Sequence, residues 1–121
     1  MKLILIVDDE VDLTTTYSLL FKLHGFEVLT AANGREALDL IATTRPSVVL
    51  SDLMMPVMDG IALSRTLRST ADTASIPIVL MSGAPERHQL TAGDYDVFIR
   101  KPVRFPDLLQ KIVTLMDTNS N

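Results

Sequence analysis

Short apolar runs alternate with helical stripes along this chain, and that alternation restricts the fold more than any other feature. Lys2 to Val7 is dominated by Leu, Ile and Val, as a strand buried on both faces requires. From Val11 the period becomes helical, with Leu13, Tyr17, Leu20 and Phe21 on one stripe and Gly25 placed to close it. Phe26 to Ala31 alternates as a second strand, and Asn33-Gly34 turns the chain into a short helix. The inner face of that helix is Ala37, Leu38 and Ile41, and it ends before Pro46. Ser47 to Asp52 is the third strand. Asp59 is placed to cap the next helix, with Ile61, Leu63 and Leu67 facing inward. Ile76 to Ser82 reads as the fourth strand and Val97 to Arg100 as a short fifth. Between them, residues 85–92 make a weak helical candidate whose one large aliphatic residue is Leu90. Pro106 suits the first turn of a last helix, with Leu108, Leu109, Ile112 and Met116 on one side.

Five strand–helix units predict an α/β fold, a doubly wound parallel sheet covered on both faces. In such sheets ligands bind beyond the carboxyl ends of the strands, so the residue that follows each strand matters. Asp8 and Asp9 follow the first strand, Asp52 ends the third, Ser82 ends the fourth, and the fifth runs into Lys101-Pro102. Only the second strand, ending in Ala31-Ala32, delivers no such group. Taken singly these residues are ordinary: a turn aspartate, a helix cap, a loop lysine. Their coincidence on one rim is what departs from chance. Three converging carboxylates repel one another unless a cation joins them. Oxygen ligands without nearby His or Cys favour a hard ion, Mg²⁺ best and Mn²⁺ as a substitute. Lys101 brings a mobile positive charge suited to a phosphoryl group, and Ser82 a hydroxyl donor. A carboxylate can itself be the nucleophile of phosphoryl transfer.

Composition narrows the alternatives. At 121 residues the chain is one domain, expected over residues 1–117, with 118–121 a polar tail or the start of a linker. A net charge of -4 argues against direct nucleic-acid binding. The absence of Cys removes disulfides and thiolate metal sites, and His24 and His88 lack zinc-ligand spacing. The apolar stretch from Leu3 to Val7 is too short and too soon acidic for a signal peptide or membrane insertion, so a cytoplasmic location is the default.

The motifs V-D-D-E at 7–10, D-L-M-M-P-V-M-D-G at 52–60, M-S-G at 81–83 and K-P at 101–102 resemble those of response-regulator receiver domains. The resemblance covers essentially the whole chain. It implies a flavodoxin-like three-layer sandwich with strand order 2-1-3-4-5. It also implies that Asp52 is a phosphoacceptor, served by a sensor histidine kinase or a histidine phosphotransfer protein. Asp9 would ligate Mg²⁺ directly, Asp8 through water, and the backbone carbonyl of Met54 would complete the protein's share with Asp52. Lys101 would pair with the phosphoryl oxygens, Ser82 would move in to bond one of them, and Phe98 would be the aromatic switch, with Tyr95 its nearest competitor. Lys101-Pro102 would be a cis peptide bond. The output would pass to a downstream protein or output domain, from a monomer or a weak phosphorylation-dependent dimer.

The chain departs from the family pattern between Ser82 and Gly93, which is about four residues short, roughly one helical turn. The fourth helix is therefore expected to be short or irregular, which bears on the family's usual output and dimerisation surface. Met54 and Ala84, two residues after Asp52 and Ser82, occupy positions that screen a phosphoryl group from water in relatives. Three other classes fit less well. An aspartyl-phosphate phosphatase of the haloacid-dehalogenase type needs a second Asp where Met54 stands. A flavodoxin-like cofactor binder needs a phosphate-cradling loop after the first strand. The presence of all five site residues argues against a pseudo-receiver that keeps the fold but is never phosphorylated.

Overall fold

The computed structural model of the chain describes residues 2–84 and 90–119. Its elements are β1 (Leu3–Val7), α1 (Val11–Leu23), β2 (Glu27–Ala31), α2 (Gly34–Ile41), β3 (Val48–Asp52), α3 (Gly60–Ser69), β4 (Ile78–Ser82), β5 (Val97–Arg100) and α4 (Phe105–Asn119). The strands form one parallel sheet, as the alternating units predict, in the order β2-β1-β3-β4-β5 that the family resemblance implies. The register sets Val7 beside Ala31 and Ser51, Asp52 beside Met81, and Ser82 beside Arg100, so the carboxyl ends share one rim.

Alternation along each strand divides the core between the two faces. Ile4, Ile6, Val48, Leu50, Val79 and Met81 pack against Tyr17 and Phe21 of α1 and Leu108, Ile112 and Met116 of α4. Leu5, Val7, Val49, Ile78 and Leu80 face the other way, onto Ala37 and Ile41 of α2 and Leu63 and Leu67 of α3. Each fully buried Leu or Ile contributes about 1.5–3 kcal/mol by leaving water, so both layers are needed to hold the sheet.

Local signals set the helix ends. Gly25, at φ 87°, donates its N–H to Lys22 O while Phe26 N–H reaches Phe21 O, which closes α1 and turns the chain into β2. Asn33 caps α2 by accepting Glu36 N–H at 2.9 Å, and Asp59 caps α3 by accepting Ala62 N–H at 2.8 Å. β4 starts at Ile78 rather than at Ile76, because Pro77 has no N–H to give to the ladder. Leu20 and Ile61, expected on inner faces, are only half-buried. Most of the expected fourth helix, at residues 85–92, lies outside the described residues; Leu90 is described and packs with the α2–α3 layer. α4 runs to Asn119 and so takes in two of the residues expected in the tail. No helix among the described residues is long and apolar enough to cross a membrane.

Candidate functional site

Asp8 stands one step beyond β1, held in line because its N–H continues the ladder to Ala31 O at 3.0 Å. Its side chain is buried. Oδ1 accepts Glu10 N–H at 3.0 Å, whereas Oδ2 has no hydrogen-bond partner among the described residues. The nearest cation to Oδ2 is Lys101 Nζ at 3.6 Å, an electrostatic contact too long for a hydrogen bond. Asp9, the next residue, is exposed. Asp52 is buried at the end of β3, with Oδ1 3.4 Å from Lys101 Nζ. Carboxylate oxygens of Asp8, Asp9 and Asp52 all lie within 4.8 Å of one another. The orphaned Asp8 oxygen and an all-oxygen donor set fit a hard metal cation, which supplies the charge such a cluster lacks.

Electrostatics confirm the crowding. Burial pushes the Asp52 carboxyl above the usual aspartate range; Lys101 pulls it back, and the neighbouring Asp8 adds to the rise. Burial pulls the Lys101 ammonium down, but Asp52 and Asp8 outweigh it and hold Lys101 above its ordinary value. A simple ion pair would lower the acid and raise the base. Here both rise: burial outweighs the pull of Lys101 on Asp52, and two carboxylates outweigh burial at Lys101.

Ser82 ends β4 and is buried; its Oγ accepts Ala84 N–H at 3.0 Å, and its carbonyl accepts Lys101 N–H at 2.9 Å. β4 therefore sets where β5 delivers Lys101. The Lys101–Pro102 peptide bond is cis. Met54 is exposed, and with Asp52, Ser82, Ala84 and Lys101 it borders an open cavity of about 480 Å³. Phe98 is half-buried toward the α2–α3 layer, its ring 6.2 Å from that of Tyr95 and edge-on to it.

The turn between β3 and α3 is held by backbone contacts. Gly60 N–H donates to Leu53 O at 3.0 Å, and a Cβ at Gly60 would overlap the Asp52 carbonyl. Gly34 N–H reaches across to Met58 O at 2.9 Å. Val57, in the same turn, has φ 70°, a conformation costly for a β-branched residue.

Two residues at the site are given no role by the sequence. Glu10 closes the V-D-D-E motif without one, yet it borders the cavity and its charge acts on Lys101. Tyr17 reads as one member of a helical stripe, and its ring does pack with Phe21 and Phe105. Its phenol, however, is pushed up by burial, pulled down by Lys101 and pushed up by Asp8, so its hydroxyl end lies within the field of the rim.

The family profile that matches the chain is the response regulator receiver domain, over residues 4–113. The response regulator MprA of Mycolicibacterium vanbaalenii is 36% identical over 116 residues, covering 93% of this chain and 49% of that protein. The chain thus spans about half the length of the curated relatives it matches. Chemotaxis response regulator CheY4 of Vibrio cholerae has TM-score 0.86 at 31% identity, covering 95% of this chain and 98% of its own. Response regulator TrrA of Thermotoga maritima, solved in complex with Mg²⁺ and BeF, has TM-score 0.85 at 28% identity, covering 95% of this chain and 99% of its own.

Proposed function

The chain belongs to the response regulator receiver domain family, a signalling rather than a catalytic one, and from that premise we propose that Asp52 is its phosphoacceptor. The observation that carries the reading is the placement of the Asp52 carboxylate, 3.4 Å from Lys101 and within 4.8 Å of the oxygens of Asp8 and Asp9. An Asp52 oxygen attacks the phosphorus of a phosphohistidine; the new O–P bond forms as the P–N bond breaks, and the imidazole leaves and takes a proton from solvent. Asp8, Asp9, Asp52 and the backbone carbonyl of Met54 would hold a divalent ion, Mg²⁺ by preference, which when bound offsets charge on the transferring oxygens. Lys101 pairs with the same oxygens from the β5 side.

A phosphoryl group adds charge and acceptor oxygens to a rim already short of donors. Ser82, whose hydroxyl hydrogen is not committed to a described partner, turns toward it and draws the following loop inward. Phe98 follows by changing rotamer, which alters the outer surface of β5. The phosphodonor is a sensor histidine kinase or a histidine phosphotransfer protein. The changed surface is read by a downstream protein or by an output domain.

Incubation with phosphoramidate and Mg²⁺, followed by intact-mass measurement, tests this. A gain of one phosphoryl group, lost in Asp52→Asn and with EDTA, is expected. No gain would leave a receiver fold that is never phosphorylated. Many turnovers of free phosphate would make it a phosphatase.

A further inference from the structure

Tyr17 is nine-tenths buried, at 9% exposure, and its hydroxyl has no hydrogen-bond partner among the described residues; unlike Asp8 Oδ2, this oxygen is not sealed from solvent. A hydroxyl at the wet end of a buried ring is free to take a partner across the cavity it borders. Phe would fill the same core space between Phe21 and Phe105, so packing does not account for the oxygen. The side chain borders a cavity of about 480 Å³ together with Glu10, Leu13, Gly83, Lys101 and Val103. That cavity and the one in front of Asp52 have Glu10, Gly83 and Lys101 in common, so Lys101 stands between them.

Lys101 is held loosely on its other side. Its ammonium has three N–H donors, and its carboxylate neighbours lie at 3.4 Å and 3.6 Å, beyond close charge-assisted hydrogen bonds of about 2.7–2.9 Å. One donor remains to turn toward the Tyr17 side, where the cavity has room for water.

We propose that the Tyr17 hydroxyl is a positioning group for Lys101, accepting one ammonium N–H directly or through one water and so setting the charge in place before a phosphoryl group reaches Asp52. This rests on the reading of Asp52 as phosphoacceptor. α1 thereby does more than cover the sheet. Its inner stripe reaches the chemistry through a single oxygen atom.

Tyr17→Phe removes that atom and keeps the ring. With phosphoramidate and Mg²⁺, the variant is expected to phosphorylate about five- to tenfold more slowly at saturating donor. Half-saturating donor concentration and thermal midpoint should stay unchanged. In a Lys101→Arg background, where the ammonium is gone but the charge remains, the same substitution should have little further effect. The chain has two tyrosines and no tryptophan, so in a Tyr95→Phe protein the emission comes from Tyr17 alone and should change on phosphorylation. A Tyr17→Phe rate within about twofold of the parent overturns the proposal. So does an equal loss in the Lys101→Arg background, or an unchanged Tyr17 emission. If the unaltered protein gains no phosphoryl mass, the Asp52 reading itself fails and this inference falls with it, an outcome distinct from a normal rate in Tyr17→Phe.

Discussion

Two stretches of chain lie against α3 and are fixed to it in different ways. The turn from Leu53 to Asp59 is locked by backbone. Gly60 sits so close under Asp52 that no side chain fits, and peptide groups of Leu53, Met58 and Gly34 supply the hydrogen bonds. The stretch from Gly93 to Asp96, which leads into β5, is fastened by side chains instead. Arg65 Nε donates to Asp94 Oδ2 at 2.9 Å. Arg68 bonds Asp96, the carbonyls of Ala74 and Ile76 at 2.9 Å each, and Gly93 O at 3.3 Å. Asp96 in turn accepts Ile78 N–H at 2.7 Å. Attachment through backbone hydrogen bonds and close backbone contact carries no net charge and is indifferent to salt. Ion pairs at a surface are weaker and adjustable. The rigid attachment serves Asp52 and the adjustable one serves the strand that carries Phe98 and leads to Lys101.

Gly60→Ala attacks the rigid attachment directly. The added methyl must push the Asp52 backbone aside, and a loss of about 3 kcal/mol in urea unfolding is expected together with failed phosphorylation. An alanine variant of normal stability and normal phosphorylation would show that the turn yields easily. Arg68→Ala comes next. It strips Asp96 and two carbonyls of their shared donor, for an expected cost of about 2 kcal/mol by the same measurement. Val57→Gly should go the other way, stabilising by about 1 kcal/mol, because only the left-handed backbone at that exposed position is being relieved. If stability falls instead, the Val57 side chain makes a contact that outweighs its strain. Arg65→Ala, at a half-exposed pair, is expected to cost under about 1 kcal/mol, shrinking further in high salt.

The last test needs only a sign. The folded-state pKa of Asp52 is raised, so the folded protein keeps this proton to higher pH than the unfolded chain does. That contribution is fully present below the ordinary aspartate value and is lost as pH rises through the raised one. In metal-free protein, Asp52→Asn should therefore match the parent in acid and be the more heat-stable of the two at neutral pH. Thermal midpoints in EDTA across that range decide it; a neutral-pH midpoint lower than the parent's would contradict the strain assigned to the rim.

Much of this molecule was legible residue by residue. The parallel sheet followed from five alternating units and its strand order from the family resemblance, while Gly25, Asn33 and Asp59 marked helix ends by rules that act within four residues. Asp8, Asp9, Asp52, Ser82 and Lys101 could be picked out because a parallel sheet brings its strand ends together whatever the loops do. Other features carried no local mark. Adjacent Asp8 and Asp9 have opposite burial. Tyr17 looked like core until the β5–α4 junction set Lys101 near it, and the arginine ties join residues 25–29 apart. Nor does anything in Met-Pro-Val-Met announce that Val57 takes a left-handed backbone.

The sequence by itself determined which elements form, in what order, and which side chains arrive at the rim, because period, caps and turns are short-range properties of the chain. Only the tertiary structure decided how those side chains meet: which carboxylate loses water, which lysine faces two of them, and which hydroxyl shares a cavity with that lysine. Such distances depend on how loops and layers settle against one another, and that packing joins residues far apart in the chain.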